Sequence, residues 1–165
     1  DQVWQQLYQV NTIKRTELPL SLSQLIGIPL PLQADMDGTG VGATRTSTWE
    51  RDVKFEEIIT QWLPGEQLAY RFNFDHYAIP AQALDQHVRM GGAYFSPLSG
   101  AYQLRSDGHG GTWLSLTTTV EDRTHFGPYS RFWGELIFRD YHRLLLTLMK
   151  QRAERGKSTL QATPV

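Results

Sequence analysis

The chain of 165 residues contains no cysteine, which excludes disulfides, thiolate nucleophiles, zinc ribbons and cysteine-ligated iron–sulfur clusters together. It also lacks an excess of charge of either sign: 16 Lys and Arg stand against 17 Asp and Glu, a formal net charge of −1. A phosphate backbone rewards a basic stripe, so no nucleic-acid partner is expected. Long apolar runs are missing too. The richest, Leu144 to Met149, lies between Arg143 and Lys150 and falls far short of the roughly 20 residues a membrane-crossing helix needs. Catalytic and cofactor signatures are equally scarce. Gly91-Gly92 and Gly108-His109-Gly110-Gly111 lack the following helix, Lys and hydroxyl of a phosphate loop and read as a bulge and a hairpin turn. There is no Gly-x-Ser-x-Gly elbow, no His-x-x-x-His pair, and no Glu-x-x-His pair on the final helical segment. Neither a metal nor a cofactor is expected.

What is present is enough for one packed interior. Apolar residues make up 40%, aromatics 12% and charged residues 20%. A single domain over residues 1–156, followed by a polar tail over 157–165, fits both length and composition. A domain of this size buries about two thirds of its unfolded surface and needs no covalent staple. The chain opens at Asp1 with neither an initiator Met nor a charged-then-apolar leader, which reads as an excised portion of a longer product.

Val3 to Val10 has near-helical apolar spacing, with Asp1 placed as a cap. From Leu18 to Gly42 the density of Pro and Gly leaves room for at most one short helix, over Leu20 to Ile26. This connector is rich in Leu and Ile, so it is expected to cover something. Strand-like segments follow over Val41–Arg51, Lys54–Leu63, Gln67–Asp75, His87–Tyr94, Gly100–Ser106 and Thr112–Asp122, separated by turn residues. The period-2 alternation of Leu68, Tyr70, Phe72 and Phe74, repeated by Leu114, Leu116 and Val120, marks an antiparallel sheet with one apolar and one wet face. From Pro128 to about Arg155 a helical stripe runs through Tyr129, Trp133, Ile137, Tyr141, Leu144 and Leu148, with Gly156 suited to the stop. The fold class is therefore α+β: an antiparallel meander with a long C-terminal helix on its apolar face.

These segments resemble the helix-grip proteins of the START-like, Bet v 1-like and polyketide cyclase group. Val3-Trp4-Gln5-Gln6-Leu7 is similar to that group's first helix. Gly40 to Arg45, Phe55 to Ile59 with Trp62-Leu63-Pro64, and Leu68-Ala69-Tyr70 are similar to its strands, and the match extends from Asp1 to Arg155. The departure is that no strand precedes Val3. The resemblance implies a curved sheet around the long helix, an apolar cavity between them, and carriage of a lipophilic small molecule without catalysis. Its alternatives are a cyclase or dehydratase enzyme and a regulatory domain of a membrane-attached protein. Ile28-Pro29-Leu30-Pro31 before Gly38 to Gly42, and Tyr129, Trp133 and His142 before Lys150, resemble bacterial members that follow N-terminal membrane helices. That implies a cytoplasmic module with membrane association through a preceding segment.

Ten residues are candidate ligand contacts. Arg45 and Glu57 lie within strands, where solvent exposure is the default for Arg45. On the inner face Arg45 would instead offer a forked contact to a ligand carboxylate and pair with Glu57 across adjacent strands. Arg71 alternates onto the wet face. Tyr70, Phe72, Tyr102, Trp133, Ile137 and Tyr141 supply apolar or ring surface, most of it expected to be core. Asp140 interrupts the helix stripe, with Arg139 or Arg143 as its expected partner, and burial there would raise its pKa unless donors stabilise the charge. His125, between the last strand and the helix, is placed at a cavity mouth; the other histidines read as surface residues.

Overall fold

The computed structural model describes residues 2–10, 12–74, 95–123 and 127–161. Short elements come first: helix α1 (Gln2–Tyr8), a 3-10 turn (Arg15–Glu17) and the single helical turn α2 (Leu22–Leu25). Six strands follow, β1 (Pro31–Asp37), β2 (Thr44–Trp49), β3 (Lys54–Leu63), β4 (Gln67–Asn73), β5 (Phe95–Ser106) and β6 (Thr112–Asp122), and the chain closes with helix α3 (Gly127–Gln161). Each strand pairs antiparallel with its sequence neighbour, giving one curved, open sheet in the order β1-β2-β3-β4-β5-β6. The α+β class is as expected, and the arrangement is compatible with a helix grip. Among the described residues no helix is long and apolar enough to cross a membrane.

Local chemistry explains the meander. Arg51 and Asp52, between β2 and β3, both take φ of 58°, the mirror-image turn whose twist matches a two-residue hairpin. Between β5 and β6, Asp107 Oδ1 accepts from the amides of His109 and Gly111, each at 2.8 Å, and so closes the glycine-rich reversal. Alternation then sends Leu68, Tyr70, Tyr102 and Leu104 inward and leaves Arg71 on the wet face. On β5, Gly100 stands where Tyr70 from the paired strand crosses: a Cβ there would lie 2.5 Å from the ring's Cζ and Oη.

The strand at the sheet's first edge departs from the sequence expectation. Pro31–Asp37 lies within what reads as a connector, because Pro31 and two aspartates mask its alternation. It forms because it pairs on both sides. The β2 ladder satisfies one edge, and on the other the Ala34 amide donates to the Val10 carbonyl at 3.0 Å while the Ile13 amide donates to Leu32 at 2.7 Å. The strand expected over His87–Tyr94 and the Asp1 cap lie outside the described residues.

The core joins three layers. Trp4 and Leu7 of α1, with Val10 and Ile13, meet Ile59, Leu68, Tyr70, Tyr102 and Leu104 of the sheet and Leu148 and Met149 of α3. Tyr141, Leu144 and Ala153 extend the buried stripe of α3, whereas Tyr129, Phe132 and Trp133 in its first turns are exposed. Gly156 does not end α3, which runs on to Gln161. A Cβ at this position would stand 3.8 Å from the Gln2 side chain of α1, an ordinary contact, and one helical glycine costs only about 1 kcal/mol against alanine. Polar side chains fasten α3 to the N-terminal connector: Tyr141 donates to the Pro29 carbonyl, and Arg152 reaches Glu17 and, at 2.9 Å, the Thr12 carbonyl. On the sheet side, Thr118 Oγ1 and His142 Nε2 lie 2.9 Å apart.

The seat of Tyr70 over Gly100 is directly testable. Gly100→Ala is expected to lower unfolding stability by about 1–3 kcal/mol in urea titration through overpacking, and a loss below about 0.5 kcal/mol would show that the ring does not lie there.

Candidate functional site

Register brings Arg45 of β2 opposite Glu57 of β3 on the inner face. Both are buried, at 3% and 5% exposure, which corrects the expectation of a solvent-facing Arg45. The pairing foreseen as the inward case is the one that forms: Arg45 Nε donates to Glu57 Oε2. Arg45 Nη1 donates to the carbonyl of Leu7, in the last turn of α1, where backbone carbonyls favour a cation. Ser47 Oγ donates to the same Glu57 oxygen at 3.3 Å. The guanidinium carbon sits 4.9 Å from the Tyr70 ring centre and 5.8 Å from that of Tyr102.

Electrostatics locks this cluster in one state. Burial works most strongly against the charge on Arg45, but Glu57 together with Tyr102 and Tyr70 outweighs it and raises the guanidinium pKa. Burial, reinforced by Glu57, pushes the Tyr70 phenol well above its ordinary value. Tyr102 is pushed up to about 12, again by burial first, with Arg45 pulling the other way. The cluster is a paired Arg–Glu charge walled by two neutral phenols and roofed by α1. Its arginine is already engaged by Glu57 and Leu7, so it is spoken for as an anchor between sheet and helix.

A second group forms where β2, β3 and β4 pass under α3. Trp49, Phe55, Phe72 and Phe74 contact one another ring to ring at 5.6–5.9 Å, and Tyr141 closes on Trp49 at 5.2 Å. Ile137 is partly buried and Trp133 is 41% exposed. Four-residue spacing stacks Trp133, Ile137 and Tyr141 along one face of α3. Phe72 and Tyr141 among the candidates thus belong to one apolar end, Arg45, Glu57, Tyr70 and Tyr102 form the polar cluster, and Trp133 packs instead on Tyr129 and Phe132 in the exposed first turns of α3.

Asp140 belongs to neither group. Its carboxylate accepts from Ser23 N at 2.8 Å, Ser23 Oγ at 2.7 Å and Leu22 N at 3.2 Å, so it caps α2 rather than pairing with Arg139 or Arg143. Burial would raise its pKa, but these donors outweigh burial and hold the carboxyl below the ordinary value. Burial also lowers the pKa of His142 between α3 and β6. His125 lies outside the described residues.

One open groove of about 450 Å³ lies outside the helix–sheet interior, lined by Tyr8, Gln9, Ala34, Asp35, Met36, Gly38 and Thr39. None of these was a sequence candidate, because the groove depends on β1 meeting the end of α1. Among the described residues there is no group of three or more side chains able to hold a metal ion. No protein-family model matches the chain, and no curated protein is similar to it in sequence at a significant level.

Two measurements probe these placements. Glu57→Gln leaves the Arg45 charge buried without its counter-ion and is expected to cost roughly 3–5 kcal/mol in chemical denaturation, with Arg45→Met/Glu57→Leu together recovering most of the loss; a loss for Glu57→Gln alone below about 1 kcal/mol would contradict the burial of the pair. For Asp140 the folded pKa lies below an unfolded value of about 3.9, so its contribution is complete above that pH and is lost as pH falls through the folded pKa. Asp140→Asn is therefore expected to be about 1–2 kcal/mol less stable than wild type at neutral pH, with the gap narrowing below about pH 4; a gap independent of pH would exclude a charged cap.

Proposed function

We propose that this chain is a START-like helix-grip protein that binds a lipophilic small molecule between sheet and C-terminal helix, without catalysing a reaction on it. The observation that carries the reading is the aromatic end of the interior. Trp49, Phe55, Phe72, Phe74 and Tyr141 form a continuous ring cluster, and four-residue spacing puts Ile137 and Trp133 on the same face of α3 as Tyr141. Ring and aliphatic walls with few polar groups suit flat or long-chain apolar ligands, which need area more than directed hydrogen bonds. The Tyr141 hydroxyl is turned away to the Pro29 carbonyl, so its ring rather than its polar tip meets Trp49 on this side.

The cyclase-type alternative calls on polar groups such as Arg45, Glu57, His125 or Asp140, of which Asp140 caps α2 while Arg45 and Glu57 converge with Tyr70 and Tyr102. The converging groups hydrogen-bond or stack on one another beneath α1, and a catalytic acid or base must instead reach a substrate atom. The binding reading is favoured for that reason.

Titration with an apolar fluorescent probe such as anilinonaphthalene sulfonate is expected to give saturable one-to-one binding, displaced by long-chain lipids. Ile137→Arg, at a partly buried helix position, is expected to weaken that binding at least tenfold while leaving the far-ultraviolet circular dichroism spectrum unchanged. Non-saturable binding, or equal affinity in the folded variant, would refute the reading.

A further inference from the structure

No charged residue occurs between Glu17 and Asp35, and this uncharged stretch carries α2. The sequence leads one to expect its leucines to cover the core. In part they do, since Pro29 and Leu30 are buried. Around α2, however, the polarity is inverted. Ser21 and Ser23 are buried, while Leu20, Leu25 and Ile26 are 95%, 81% and 54% exposed. Asp140 explains the inversion: by bonding the Ser23 hydroxyl and the Leu22 and Ser23 amides, it holds the polar side of the turn against α3 and leaves the aliphatic side outward.

The backbone amides of this turn are all paired. Beyond the two amides held by Asp140, Gln24 N donates to Ser21 Oγ, and the amides of Leu25, Ile26, Gly27 and Ile28 donate to carbonyls of residues 21–24. The Gln24 side-chain amide turns back to the Pro19 carbonyl. Each unpaired amide would cost several kcal/mol in hydrocarbon, and among residues 22–28 no backbone amide is left unpaired.

We propose that this turn is a membrane-docking knob, which places Leu20, Leu25 and Ile26 in the interfacial region of a phospholipid bilayer. Shape favours a bilayer over a second copy of the chain. A stable protein interface needs roughly 800 Å² of complementary surface on each partner. A single helical turn offers a few side chains, and a fluid lipid surface accommodates them without any matching cavity. Charge is compatible with acidic headgroups: exposed Arg139 and Arg143 flank Asp140 on α3, and Arg51 reaches to Gly27, where a Cβ would lie 3.4 Å from its Nη2. The proposal is independent of the interior ligand and stands or falls separately.

The absence of cysteine makes a site-specific test simple. Leu25→Cys and, as a control on the exposed outer face of β6, Thr117→Cys are each labelled with an environment-sensitive nitrobenzoxadiazole. Each is mixed with vesicles of phosphatidylcholine and phosphatidylserine in a four-to-one ratio. A blue shift and a several-fold rise in emission are expected at position 25 and not at 117. Co-sedimentation of unlabelled protein with the same vesicles is expected to fall at least tenfold in Leu20→Ser/Leu25→Ser/Ile26→Ser, whose exposed positions leave the thermal melt in place. The proposal is overturned by wild-type protein that stays in the supernatant, by equal responses at the two labels, or by a folded triple variant that sediments like wild type. A lipid-free dimer in analytical ultracentrifugation that the triple variant abolishes would also overturn it, by assigning the knob to a second copy.

Discussion

The carboxylate of Asp140 is the constraint on which the arrangement of the outer layer depends. It stands in the apolar stripe of a 35-residue helix and is stabilised there by three donors from a four-residue turn far away in sequence. One turn of helix has no intrinsic stability, because nucleation is unfavourable and every amide at its start lacks a partner. Asp140 supplies the partners of Leu22 and Ser23, and Ser21 that of Gln24. In doing so Asp140 also fixes which side of the turn meets the protein, and hence which side chains face outward. With Tyr141 on Pro29 and Arg152 on Glu17 and Thr12, it joins α3 to the connector along several turns.

Inside the sheet the governing interaction is a different charge. Arg45 is taken out of water opposite Glu57, and its second bond reaches the end of α1. Removing two ions from water is unfavourable unless their geometry is good and the remaining polar atoms are satisfied. Here Ser47, the Leu7 carbonyl and two phenol rings complete the shell. An apolar patch would tolerate sliding between α1 and the sheet, whereas a directional bond to one carbonyl allows a single seating.

Apolar surface is therefore divided between two places. At the aromatic end the rings of Trp49, Phe55, Phe72 and Phe74 pack on one another and on Tyr141 of α3, and this is the wall proposed for a small molecule. The α2 turn presents Leu20, Leu25 and Ile26 outward with its amides paired, and this is the face proposed to meet lipid. The polar groups that separate them, Asp140 and the Tyr141 hydroxyl, are neighbours on α3, so one stretch of helix backs both surfaces.

Elements with a strong internal period were legible from the residues: Lys54–Leu63 and Thr112–Asp122 as strands, the helical stripe after Pro128, the wet-side placement of Arg71, and with them the α+β class. These follow from local rules, alternation every second residue and recurrence every 3.6, which act through neighbours in the chain. The Pro31–Asp37 strand, the burial of Arg45 and the cap made by Asp140 were decided only in three dimensions. Each depends on a partner distant in sequence: Val10 and β2 for the strand, Glu57 and Leu7 for the arginine, Ser23 for the aspartate. Whether a charge in a strand or helix is buried turns on the hydrogen bonds waiting for it, and residue order alone does not state which donors the fold will bring within 3 Å.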